Sequence, residues 1–254
     1  MDIFGATRSR VRHNYALVTP DTHVVSPLVG WRKASAVFHI TSEMGARFTQ
    51  FTAMLEPGGE SAMPPASVER LIFVLDGSVS IECAAIAKAG SPAALSTGGY
   101  AFFPADATHA IKANAAAKLL VFEKVYRPLA GSAAPRVVVG NEADVAGQPF
   151  LGDPDARLKT LLPIEPAFDM AVNIFTYQPG ATLPQVEIHV MEHGLLMLAG
   201  AGVYRLGDDY FPVAAGDVIW MASFCPQWFV AMGKVPARYI YYKDIHRDGL
   251  EDKR

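Results

Sequence analysis

Residues 180–200 read GATLPQVEIHVMEHGLLMLAG. Glu187, His189 and His193 fall at i, i+2 and i+6, ahead of an apolar run that ends in Gly200. In an extended chain the side chains at i and i+2 leave the backbone on the same side. Glu187 and His189 are therefore expected to face one way, with His193 in phase on the same strand or after a turn. The spacing alone leaves two readings open. One is a metal site; the other is a polar surface strand with two solvated histidines.

Outward from this stretch the chain repeats itself. FTAMLEPGGE resembles NIFTYQPGAT, ERLIFVLDGSVSI resembles EHGLLMLAGAGVYRL, and GGYAFFPADATHAI resembles AGDVIWMASFCPQWF. The partners lie roughly 120 residues apart, a separation that suits a duplicated small domain rather than a solenoid repeat. Most segments are short, rich in Val, Ile, Phe, Tyr and Leu, and punctuated by Gly, Pro, Asp or Asn. That is the pattern of an all-β sandwich or barrel. Two β domains of this size point to two jelly-roll barrels in one chain. Residues 1–130 are assigned to the first barrel, 131–164 to a linker, and 165–254 to the second barrel.

Composition narrows the function. Of 254 residues, 51% are hydrophobic and 19% charged, so the chain can fill a sizeable core. A net charge of -3 provides no electrostatic footprint for nucleic acid or an anionic membrane. The two cysteines, Cys83 and Cys225, form no CxxC pair, which suits a reducing compartment. The N-terminus lacks the apolar stretch of a secretory signal, and no apolar run is long enough to span a bilayer. A soluble cytoplasmic protein is expected.

The quoted stretch resembles the first cupin motif, with Glu187, His189 and His193 in the ligand positions and Gly200 closing it. The usual order there is His, His, Glu. GDVIWMASFCPQ, from Gly216, resembles the second motif and puts Gln227 in the fourth ligand position, although Ala222 and Phe224 replace the usual Pro and Gly. One carboxylate, two imidazoles and an amide suit a divalent first-row metal, with Mn(II) favoured. The corresponding positions of the first repeat hold Pro64, Ala66 and Arg70, and Glu69 is one residue out of register. Only His109 keeps its place. The first barrel is expected to hold no metal, with His109 a core or pocket residue and the barrel serving structure or oligomerisation.

Taken together, NYALVTPD from Asn14, YRPL, EIHVMEHG, GVYRL and YIYYKDIHRD resemble the (S)-ureidoglycine aminohydrolase family over nearly the whole chain. The resemblance implies a homo-oligomeric manganese enzyme that turns a small ureide into (S)-ureidoglycolate and ammonia. It implies Glu187, His189, His193 and Gln227 as metal ligands and Lys243 as the catalytic residue. Tyr204, Tyr239 and Glu187 are the expected substrate contacts. Tyr239, Tyr241 and Lys243 share a face by period two. A lysine beside a cation in a poorly solvated site loses basicity and becomes a usable general base. Competing readings are a cupin dioxygenase or isomerase acting on a small acid, a non-catalytic ureide sensor, and a storage-type bicupin. Cys225, Pro226 and Trp228 crowd Gln227, which makes it the weakest ligand of the set. His246 reads as a surface or interface residue.

Overall fold

The computed structural model describes residues 7–86 and 93–247. They form two compact β units. One comprises Val24–Glu43 and Arg47–Val145; the other takes the N-terminal segment up to His23, Met44–Ala46, and the chain from Ala146 onward. The fold is all-β with a barrel in each half, a bicupin. Among the described residues, no helix is long and apolar enough to cross a membrane.

The first unit is a sheet in which Thr49–Glu60 and Ala117–Val125 pair at the centre; Val68–Asp76 lies on the far side of Ala117–Val125, and Ser78–Cys83 joins through His109–Ala113 on the other side. Its core is aliphatic and aromatic, with Phe51, Ile72, Val74, Phe103, Leu119 and Val121 packed together. In the second unit the sheet order is Arg10–Val11, Tyr15–Val18, Val218–Met221, His193–Ala199, Ala237–Asp244, Met170–Tyr177, Asp153–Thr160 and Gln148–Phe150. A second sheet of Asp209–Ala214, Ala201–Leu206 and Gln227–Met232 completes this unit. Its core is heavily aromatic. Tyr177, Tyr204, Phe229 and Tyr239 are all buried, and Phe175 meets Tyr241 with ring centroids 5.7 Å apart. Each such pair adds about 0.5–1.5 kcal/mol beyond area burial.

The duplication persists in the backbone. Gly77 and Gly200, at matching places, both take positive φ, at 80° and 71°. A Cβ at either would collide with a backbone carbonyl, of Ala116 in one case and Pro236 in the other. Gly98 donates its N–H to Val74 O, and Gly216 donates to Met197 O. The residues are each three positions before the paired glycines.

Two features differ from the sequence reading. Tyr15–Val18 does not join the first barrel; it pairs with Val218–Met221, Tyr15 facing Met221. The stretch 131–164 is not plain linker. Val138–Asn141 pairs with Gly99–Phe103, while Asp153–Thr160 pairs with Met170–Tyr177. Period-two alternation identifies a strand without saying which sheet receives it.

Candidate metal centre

Between Gly180 and Glu192 the chain is strand only at isolated bridges. Glu187 makes a single bridge with Gln227, through Glu187 N to Gln227 O at 2.8 Å and Gln227 N to Glu187 O at 3.0 Å. The chain then loops through His189 and re-enters a strand at His193. The loop sets His189 beside both His193 and Gln227.

His189 Nε2 lies 3.2 Å from His193 Nε2 and 2.9 Å from Gln227 Nε2. Glu187 Oε2 stands 3.9 Å from the same His189 nitrogen. Tyr204 donates its hydroxyl to Gln227 Oε1 at 3.5 Å. Among the described residues, no three His, Cys, Asp or Glu side chains already form a closed cation cage. The donor set fits a cation all the same. Metal–donor bonds of about 2.0–2.2 Å place neighbouring donors roughly 3 Å apart, the separation of His189 from His193 and Gln227. Glu187 sits further out, and Gln227 presents its amide nitrogen; a half-turn of that amide brings its oxygen round instead.

The electrostatics favour neutral imidazole at the centre. Burial holds His193 well below the usual histidine range, and the facing His189 and Lys243 push the same way. Burial also raises Glu187 above the usual carboxylate range, an effect that His189 and Lys243 oppose. Lys243 lies directly across the ladder from His193. Burial lowers its pKa, and Glu187 pulls it partly back.

These groups open onto a cavity of about 130 Å³. Its polar wall carries Glu187, His189, His193, Tyr204, Gln227, Tyr239, Tyr241 and Lys243, so every residue singled out for this site meets here. Tyr239, Tyr241 and Lys243 do share the inward face. Tyr239 also shares a 3.2 Å hydroxyl contact with Tyr177. Burial raises the pKa of Tyr204, Tyr239 and Tyr241, so their phenols stay protonated.

The chain is 41% identical to a probable (S)-ureidoglycine aminohydrolase of Oryza sativa over 98% of its length and 79% of the relative's. It is 34% identical to the (S)-ureidoglycine aminohydrolase of Escherichia coli, covering 96% of this chain and 93% of that one. The chain belongs to the (S)-ureidoglycine aminohydrolase family. A putative glyoxylate-induced protein from Pseudomonas aeruginosa superposes with a TM-score of 0.85 at 30% identity, covering 95% of this chain and 92% of that one. No family model matches the chain.

Sequence reasoning missed the apolar wall of the cavity. Phe150, Leu158, Phe175, Leu183, Met191, Leu195 and Met221 line it. Phe150 and Leu158 come from the stretch read as linker, where no alternation marked them. Cys225, 2% exposed, packs into the core, and burial raises its thiol pKa. Trp228 turns its indole N–H to Leu183 O at 2.8 Å, leaving the Gln227 side chain free to face the histidines.

In the first barrel, Arg70 occupies the position matching His193. It is 2% exposed. It donates to Glu123 Oε1 at 2.6 Å, to Ala62 O at 2.8 Å and to His109 Nε2 at 3.2 Å. His109 donates its own Nδ1–H to Ala107 O at 2.7 Å, and Phe103 stacks on it at 3.8 Å.

Proposed function

We propose that this protein is a manganese-dependent (S)-ureidoglycine aminohydrolase, replacing the α-amino group of its substrate with hydroxyl. The products are (S)-ureidoglycolate and ammonia: one C–N bond breaks, one C–O bond forms, and water supplies the hydroxyl. The observation that carries the reading is the convergence of Glu187, His189, His193 and Gln227 on one point, with Lys243 across the ladder from His193. The family relationship supplies the reaction.

Glu187, His189, His193 and Gln227 would hold the cation. When bound, it would supply fixed positive charge to anchor substrate oxygens. Lys243, made less basic by burial, is suited to take a proton from the attacking water and to pass one to the departing ammonia. Tyr204 and Tyr239, kept protonated, offer hydroxyl donors that orient the ureide. The aromatic and aliphatic wall keeps bulk water away, so a single water can be held on one face of the carbon. A cavity of about 130 Å³ suits a small polar acid rather than a peptide or nucleotide. A cytoplasmic setting and self-association belong to the same reading, in keeping with two unpaired cysteines and with the family resemblance.

The test is direct. (S)-Ureidoglycine is generated in situ, and ammonia and (S)-ureidoglycolate are followed with Mn(II), with EDTA and without protein. Stereospecific, chelator-sensitive turnover is expected. Lys243→Ala is expected to lower kcat by about 10²- to 10⁴-fold while keeping its Mn(II). Turnover no faster than the spontaneous reaction, in protein that holds its metal, would overturn the assignment.

A further inference from the structure

We infer that the N-terminal strand is a working part of the candidate metal centre, and that Tyr15 is a positioning residue for Gln227. The inference rests on the reading of Gln227 as a metal ligand.

Gln227 is delivered by the loop of residues 222–226, which follows Val218–Met221 and leads into Gln227–Met232. The loop is tied at both ends. At its start, Ala222 donates its N–H to Asn14 O at 3.0 Å. At its end, Pro226 O accepts from Gly207 N at 2.8 Å. Between them, Phe224 donates to His189 O at 2.7 Å, linking the loop to a second expected ligand. Tyr15 joins the two ties. It follows Asn14 and pairs with Met221, the residue before the loop. Its ring lies over Gly207, 3.5 Å from where a Cβ would stand. Its hydroxyl donates to Asp209 Oδ2 at 2.5 Å, across the same turn. Leu206, at the start of that turn, faces Gln227 in the ladder.

The ring of Tyr15 is only 4% exposed, so a phenylalanine would fill the space as well. What the hydroxyl adds is direction. A hydrogen bond to a carboxylate is short and strongly oriented, and it fixes the Gly207 turn against the N-terminal strand. Pro226 O is bonded to that turn, so the amide of Gln227 inherits its position. The N-terminal segment has a second anchor elsewhere, Arg8 on the buried Asp217 at 2.6 and 2.9 Å. That pair fastens the same segment and, among the described residues, bonds to Pro212 and Ala214 rather than to the loop or the turn. It therefore serves as a control for stability alone.

The experiment uses full-length protein stripped with EDTA and titrated with Mn(II), free aquo-Mn(II) being read by electron paramagnetic resonance beside thermal melts, kcat and KM. Tyr15→Phe is expected to weaken Mn(II) binding about 3- to 10-fold, less than the roughly 10- to 100-fold of a group bonded directly to a ligand. Asp209→Ala should do the same, and Asp209→Asn, which keeps an acceptor, should recover most of the affinity. Arg8→Gln should lower Tm and leave the Mn(II) affinity in place. The inference is overturned if Tyr15→Phe and Asp209→Ala bind Mn(II) as the unmodified protein does, or if Arg8→Gln weakens it by the same factor. If the unmodified protein takes up no Mn(II), the metal reading fails and this inference with it; uptake that is insensitive to Tyr15 and Asp209 removes this inference alone.

Discussion

The two barrels share a backbone and differ in what they place at one point of it. In the second, the chain brings His193 to 3.2 Å and Gln227 to 2.9 Å from His189 and leaves Glu187 at 3.9 Å from the same nitrogen. In the first, the same positions hold Ala66, Arg70 and His109, and a guanidinium fills the space. The local backbone is alike: Asp106 N bonds to Ala66 O at 3.0 Å, as Phe224 N bonds to His189 O at 2.7 Å. His109 accepts from Arg70 with the Nε2 that a metal would otherwise use, and Glu123 balances the charge. Arg70 also lies over the Trp31 ring at 5.3 Å. On the proposed reading, a covalently attached cation stands where the second barrel would hold an exchangeable one. Such a cation is always present, offers no open position and polarises no substrate. On that reading the second barrel would be the chemical site and the first a support.

The comparison breaks most sharply at the histidines. His189→Ala should abolish stoichiometric Mn(II) uptake and lower kcat/KM by at least roughly 10²- to 10³-fold, the scale of losing one fixed electrostatic group. His109→Ala should leave both untouched. Metal uptake lost in the second variant, measured by elemental analysis of dialysed protein, would erase the distinction between the two barrels.

The next effect is on stability. Arg70→Met leaves Glu123, 21% exposed, without its partner. Breaking a fully buried pair costs about 3–5 kcal/mol; the partial exposure of Glu123 brings the expectation to about 2–3 kcal/mol. Adding Glu123→Gln should restore part of it, since the stranded charge is then gone. Urea melts of the three proteins decide the matter, and kcat at saturating Mn(II) should stay level throughout. Equal stability of Arg70→Met and the unmodified protein would show that the guanidinium holds nothing together.

His109 makes the comparison sensitive to acid. Burial holds it down at about 4, the bond to Ala107 O pulls it up, and Arg70 pushes it further down. The unfolded chain takes its proton near 6.5. Between these values the unfolded state binds a proton that the folded state refuses, so stability falls as pH falls. The contribution is intact above about pH 6.5, and roughly 2 kcal/mol of it is gone by pH 5. In His109→Gln this part of the pH dependence should vanish. Parallel melting curves for the two proteins from pH 7 to 5 would contradict the assignment of a neutral buried imidazole.

Much of this was legible in the chain. Gly77 and Gly200 mark matching turns because only glycine tolerates a carbonyl packed against its α-carbon, and the count back from each finds Arg70 and His193. The i, i+2 spacing of Glu187 and His189 correctly put them on one side, although the strand dissolves after a single bridge. What the chain did not show was partnership between distant strands. Nothing in NYALV says that it will pair with VIWM, and nothing in the polar stretch around Phe150 and Leu158 says that they will wall a cavity. That Lys243 stands across from His193 is a matter of register, and register depends on pairings many residues away.

The smallest expected effect lies in a turn that both barrels share and that neither builds with glycine. Asp106 stands three residues before His109 as Phe224 stands three before Gln227, where the motif usually has glycine, and both adopt left-handed backbone, at φ 66° and 63°. A left-handed conformation costs most residues about 1–2 kcal/mol, and asparagine and aspartate less. Phe224 is 63% exposed, so its ring recovers little of that cost by burial. Glycine relieves the strain and adds about 0.4–1 kcal/mol of freedom to the unfolded chain, which offsets part of the gain. Phe224→Gly should therefore stabilise the protein by about 0.5 kcal/mol, a rise of roughly 1–2 °C in Tm, while Asp106→Gly should change it little. Thermal melts of the pair, run side by side, measure the difference. A loss of stability in Phe224→Gly would mean that the ring, exposed as it is, makes contacts worth more than the strain, and the turn of the second barrel would then be held by its side chain as well as by its backbone.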